Sequence, residues 1–81
     1  MGNKYAPLRD FLAKQKRDEL VLSLKEIEAI LGFELPRSAQ RAEWWDDDTP
    51  QYPRLQRQAI RDGGFDSRRL PDGLAVRFRR T

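Results

Sequence analysis

Cysteine and histidine are both missing from this 81-residue chain, and serine occurs only three times. Without thiolate or imidazole, the usual nucleophile, the usual general base and the commonest metal ligands are absent together. Ser23 is accounted for as a helix cap below, and neither Ser38 nor Ser67 has a base beside it in any recognisable pattern. The 5 glycines include no phosphate-cradling loop. Gly63-Gly64 follows a helical stretch and Gly73 belongs to a hairpin turn. A carboxylate pair could be drawn from Glu43 and the aspartates near it, but nothing in so short a chain implies a cleft around it. Enzyme activity is therefore not expected, nor is a cofactor. The lack of cysteine also removes any disulfide framework. Long apolar runs are absent too, and no signal peptide is visible. The expectation is a cytoplasmic protein without a membrane partner.

What is abundant is charge, at 36% of residues, and its placement says more than the net value of +3. Residues 52–81 carry eight arginines against three aspartates. Residues 32–51 lean the other way, with Arg37 and Arg41 against Glu34, Glu43, Asp46, Asp47 and Asp48. An arginine-rich end is what phosphate contact requires, and it is also what a soluble surface looks like. A chain of this length holds one domain, residues 1–81, with a thin core, so each large apolar residue is first a packing residue.

The central stretch is Ser23 to Trp45. Ser23 followed by Glu26 is a capping box, and Leu24, Ile27, Ile30 and Leu31 then line one helical face. Gly32 suits the left-handed residue that ends a helix. Pro36 suits the first turn of another, predicted over about 36–45, with Arg37, Ser38, Gln40 and Arg41 near its start and Trp44-Trp45 at its end. Adjacent helical positions point about 100° apart, so the Trp pair should be unequally buried, Trp45 inside and Trp44 nearer the surface.

Ahead of this unit, residues 4–17 predict a helix with Tyr5, Leu8, Leu12 and Phe11 inward. Leu20-Val21-Leu22 is a short strand candidate. Behind it, Asp46 to Pro53 reads as a loop closed by two prolines. Its three consecutive aspartates offer oxygen ligands but lack the glycine and spaced acids of a calcium loop, so no metal is expected. From Pro53 to Gly64 the pattern predicts a helix with Leu55, Ala59 and Ile60 inward and Arg54, Arg57 and Arg61 outward. Phe65 to Arg80 predicts a β-hairpin turning at Leu70-Pro71-Asp72-Gly73. On its second strand Leu74, Val76 and Phe78 alternate with Ala75, Arg77 and Arg79, while Arg68 and Arg69 precede the turn.

The stretches KYAPLRDFL, LSLKEIEAILGFELPRSAQRAEWW and VRFRR together resemble a family of small bacterial, phage- and plasmid-borne proteins. That family is uncharacterised; its pattern runs EIE-x-ILG-x-x-LP-x-SA, then WW-x-N, then a terminal V-x-F-x-R. The resemblance covers nearly the whole chain. It departs at Asp46-Asp47, where the family has a residue followed by Asn, and at Ile60 and Phe65, where the family has tryptophans. What it implies is a domain shared with DNA-associated proteins, without a defined activity.

Helix, short strand, three helices and a hairpin make an α+β domain of winged helix-turn-helix type. The functional expectation is a small DNA-binding protein or accessory regulator of transcription. In it Arg37, Ser38, Gln40 and Arg41 approach base edges or backbone, and Arg54, Arg57, Arg61, Arg68, Arg69, Arg77 and Arg79 contact phosphates of double-stranded DNA. The alternative is a protein-interaction module, an antiactivator, antitoxin-like partner or phage-encoded inhibitor, favoured by the acidic Glu43-to-Asp48 stretch. RNA binding through an exposed Trp44 and the cationic strand is a third reading.

Overall fold

The structure, a computed structural model, describes residues 3–46 and 55–81. Its described residues form four α-helices, a 3₁₀ turn and a three-stranded antiparallel sheet, an α+β arrangement. The order is α1 (Ala6–Ala13), β1 (Glu19–Ser23), α2 (Leu24–Leu31), the 3₁₀ turn Arg37–Gln40, α3 (Ala42–Trp45), α4 (Leu55–Asp62), β2 (Phe65–Arg69) and β3 (Ala75–Arg80). None of the described helices is long and apolar enough to cross a membrane.

Helix α1 starts where Pro7 occupies the first turn and the Asn3 side chain accepts from the Tyr5 N–H at 2.9 Å. It ends at Ala13, four residues short of the predicted 4–17. The segment after it is held from the far end of the chain. Arg80 donates from Nη2 to the carbonyls of Gln15 and Arg17 at 2.7 and 3.0 Å, and from Nε to Asp18 at 3.1 Å. These bonds tie residues 15–18 to the C-terminal strand.

The capping box forms as read: Glu26 N–H donates to Ser23 Oγ at 3.0 Å and Ser23 N–H to Glu26 Oε1 at 2.9 Å. Gly32 closes α2 at φ 84°, a left-handed conformation that costs glycine little. Ile27 and Leu31 are buried, and Leu24 and Ile30 pack at the margin of the core.

The strand order is β1-β3-β2, so the short strand at Leu20 pairs with the hairpin's second strand. Val76 and Phe78 are fully buried on the inward face, whereas Leu74, expected beside them, precedes β3 and is 70% exposed. The turn closes through Gly73 N–H to the Leu70 carbonyl at 2.9 Å.

Under the sheet the core is a run of edge-to-face rings, Phe33 on Tyr5, Tyr5 on Trp44, Trp44 on Trp45, and Trp45 on Phe78. Trp45 is the deeper tryptophan at 1% exposure, but Trp44, at 6%, is buried too. The order of burial is the expected one, but Trp44 is not exposed, which removes the stacking route to RNA. Helix α4 corrects a second expectation. Leu55 faces solvent and Gln56 is buried, because Gln56 Nε2 donates to the Trp44 carbonyl at 3.2 Å, a group left unpaired where the one-turn α3 stops. The end of α4 approaches α1 so closely that a Cβ at Gly63 would lie 2.9 Å from the Arg9 carbonyl oxygen. Pro53 and Arg54, predicted to open this helix, lie outside the described residues, as do Asp47, Asp48 and Pro50.

Candidate nucleic-acid interface

The predicted reading helix over 36–45 is not continuous. Pro36 caps a 3₁₀ turn, Arg41 adopts an extended conformation at φ −88° and ψ 141°, and a one-turn α3 follows. The physical reason is the Trp45 indole, which donates from Nε1 to the buried Ala39 carbonyl at 2.7 Å. In an unbroken α-helix that carbonyl would accept from the N–H of residue 43. Seating the largest side chain in the core and satisfying its N–H takes precedence over one more helical turn.

The break turns four polar side chains outward together. Arg37, Ser38, Gln40 and Arg41 are all exposed and line one open concavity. Among the described residues the only ion pair in this group joins Arg41 to Glu43 at 4.0 Å, with both side chains well exposed. A pair of that kind contributes between nothing and about 1 kcal/mol and yields readily to a better anion.

The other predicted contacts are dispersed. On the outward sheet face one cross-strand row runs Val21, Arg77, Arg68 and the next runs Glu19, Arg79, Asp66. Arg79 is tied to Glu19 at 3.0 Å, and Arg68 also interacts within the chain. Arg69 belongs to the opposite face and is half-buried, folded over the hairpin turn so that a Cβ on Gly73 would sit 2.7 Å from its Nη1. On α4, Arg57 is half-buried and Arg61 exposed, and each interacts within the chain. Arg54 lies outside the described residues.

The 3₁₀ turn and α3 are anchored beneath the sheet, where Ser67 Oγ donates to the Trp45 carbonyl and Trp45 packs on Phe78. Arg68, Arg77 and Arg79 project from the other face. The sheet therefore stands between the two cationic groups rather than gathering them on one side.

Two residues with surface roles were not singled out from the sequence. Arg80, counted among the cations, is the staple described above and also stacks over Phe65 at 4.8 Å. Val21, read only as strand, is 51% exposed. The signal for Val21 was available: if Leu20 and Leu22 point inward, alternation sends Val21 out.

A family model described as a domain of unknown function, DUF7662, matches residues 5–81. The chain belongs to this family. Comparison with curated proteins and with solved structures returns no match. DUF7662 thus spans the whole described fold, from Tyr5 in the core to the end of the hairpin, and its description assigns no activity.

Proposed function

We propose that this DUF7662 domain contacts double-stranded DNA through the Arg37, Ser38, Gln40 and Arg41 concavity, acting as a small regulator or accessory protein. One observation carries the reading: two guanidinium groups, a hydroxyl and a carboxamide line one open depression, with only a weak internal ion pair among them. Guanidinium groups grip phosphates or the guanine edge, and Gln and Ser complete a set able to bond bases or backbone. In this reading α2 and the segment 37–45 stand in the places of the paired helices of a winged helix-turn-helix domain. The β2–β3 hairpin stands in the place of the wing. Contact comes from a turn presenting side chains, not from a long helix lying in the groove.

Binding of a fluorescent duplex followed by anisotropy at several salt concentrations tests the proposal. If about three phosphates are neutralised, a slope near −0.9 per phosphate gives an affinity loss of about 40-fold for a fourfold rise in salt. Arg37→Glu with Arg41→Glu should weaken binding more than about tenfold at every sequence, the behaviour of lost phosphate contacts. Absence of binding at low salt defeats the reading. That result favours the protein-interaction alternative, which the nearness of Glu43 to Arg41 supports, since an acid at the rim suits a mixed-charge protein surface.

A further inference from the structure

The sheet has two edge strands, β1 and β2. On β1 the ladder shows which groups are free. Leu24 N–H bonds the Leu74 carbonyl at 3.0 Å and Arg80 N–H bonds the Asp18 carbonyl at 2.7 Å, so even-numbered residues of this strand pair inward with β3. Antiparallel alternation then points the N–H and C=O groups of Glu19 and Val21 away from the sheet. Among the described residues neither makes a backbone hydrogen bond elsewhere. Ser23 is the exception that confirms the direction, since its outward N–H is taken by Glu26. The strand contains no proline and no lysine, the usual deterrents to edge pairing. Its centre is Val21, a large apolar side chain 51% exposed beside the free edge.

We propose that β1 is a self-association edge, pairing antiparallel with β1 of a second copy about a two-fold axis at Val21. That register sets the two Val21 side chains against each other and puts Glu19 across from Ser23 of the other copy, so no like charges meet. Val21 N–H and C=O bond their counterparts, while the Ser23 groups stay engaged in their own chain, the N–H with Glu26 and the carbonyl in the first turn of α2, so both capping boxes remain intact. The two three-stranded sheets become one of six strands. An isologous contact of this kind closes at the dimer and leaves no second free β1 edge. The inference is independent of DNA binding.

Sedimentation equilibrium over a wide range of protein concentration reads it directly. The wild-type mass should rise from one chain to two and no further. Val21→Lys, which places two ammonium groups face to face on an exposed site, should hold the mass at one chain while leaving the thermal melt of the domain unchanged. Amide exchange on the wild type provides a measure that needs no variant: the Val21 N–H should be protected at high concentration and exchange freely on dilution. A wild-type chain that stays monomeric at millimolar concentration overturns the proposal. So does a dimer that Val21→Lys fails to dissociate, or one in which the Val21 amide exchanges freely.

Discussion

Arg68 stands directly opposite Arg77 across the β2–β3 ladder, on the exposed face of the sheet. Like charges in directly facing positions oppose sheet formation, by a few tenths to about 1 kcal/mol. Arg77→Glu converts the pair to an attractive one, with Val21 on the other side contributing no charge. The variant should melt about 2–4 °C higher than the parent, the shift expected for about 0.5 kcal/mol in a domain of this size. Raising the salt concentration should shrink the gain, because exposed charges are screened. A melt that is lower, or a gain indifferent to salt, would show that Arg77 is held by something other than this electrostatic pairing.

Trp45 fixes the shape of the concavity from below. Its indole N–H satisfies the Ala39 carbonyl, and this bond accompanies the extended Arg41 that separates the two short helical turns. Trp45→Phe keeps an aromatic ring in the core but strands a buried acceptor, at about 1–3 kcal/mol. Urea unfolding followed by far-ultraviolet circular dichroism measures the loss. If the stability were unchanged, the indole bond could not be what breaks the segment.

Glycines at 63 and 32 separate two physical requirements. A Cβ at 63 would meet backbone at 2.9 Å and the Leu12 side chain at 3.1 Å, so Gly63→Ala must push α4 away from α1. At 32 the space is open and only the positive φ of 84° resists a side chain. Gly63→Ala should cost about 1–3 kcal/mol as overpacking, whereas Gly32→Ala should cost about 1 kcal/mol as local backbone strain. Equilibrium denaturation of both variants orders them. A milder effect at 63 than at 32 would contradict the close approach of the two helices.

The contrast between what was legible and what was not follows from sequence distance. The capping box acts over three residues, Gly32 ends its helix locally, and the Leu-Pro-Asp-Gly turn closes within itself. Each could be read from neighbours. The break at Arg41 depends on an indole bond spanning six residues, and the inward turn of Gln56 on a carbonyl twelve residues away. Helical periodicity has no means of registering either. The same limit governed the candidate site: four adjacent residues were recognised together, whereas the tie of Arg79 to Glu19 depended on which strand lay next to it. Counting arginines in the C-terminal third treated all of them as surface charge, and Arg80 shows why that fails.

Arg80 connects the last strand to the segment between α1 and β1 over more than 60 residues, using two carbonyls and one carboxylate. Its guanidinium also covers the ring of Phe65. Arg80→Met keeps most of the apolar stem and removes the donors, so packing on Phe65 is largely retained while the Gln15 and Arg17 carbonyls lose their partner. Those carbonyls are near the surface and regain water, which limits the loss to about 1–2 kcal/mol. The distinguishing sign is local. Amides of residues 14–18 should exchange faster in Arg80→Met, while those of α2, on the other side of β1, keep their protection. DNA affinity should stay unchanged, because Arg80 is engaged with the chain itself and lies apart from the Arg37–Arg41 concavity. A loss of binding equal to that of Arg37→Glu would move the nucleic-acid contact to the C-terminal strand and refute the assignment made for the turn.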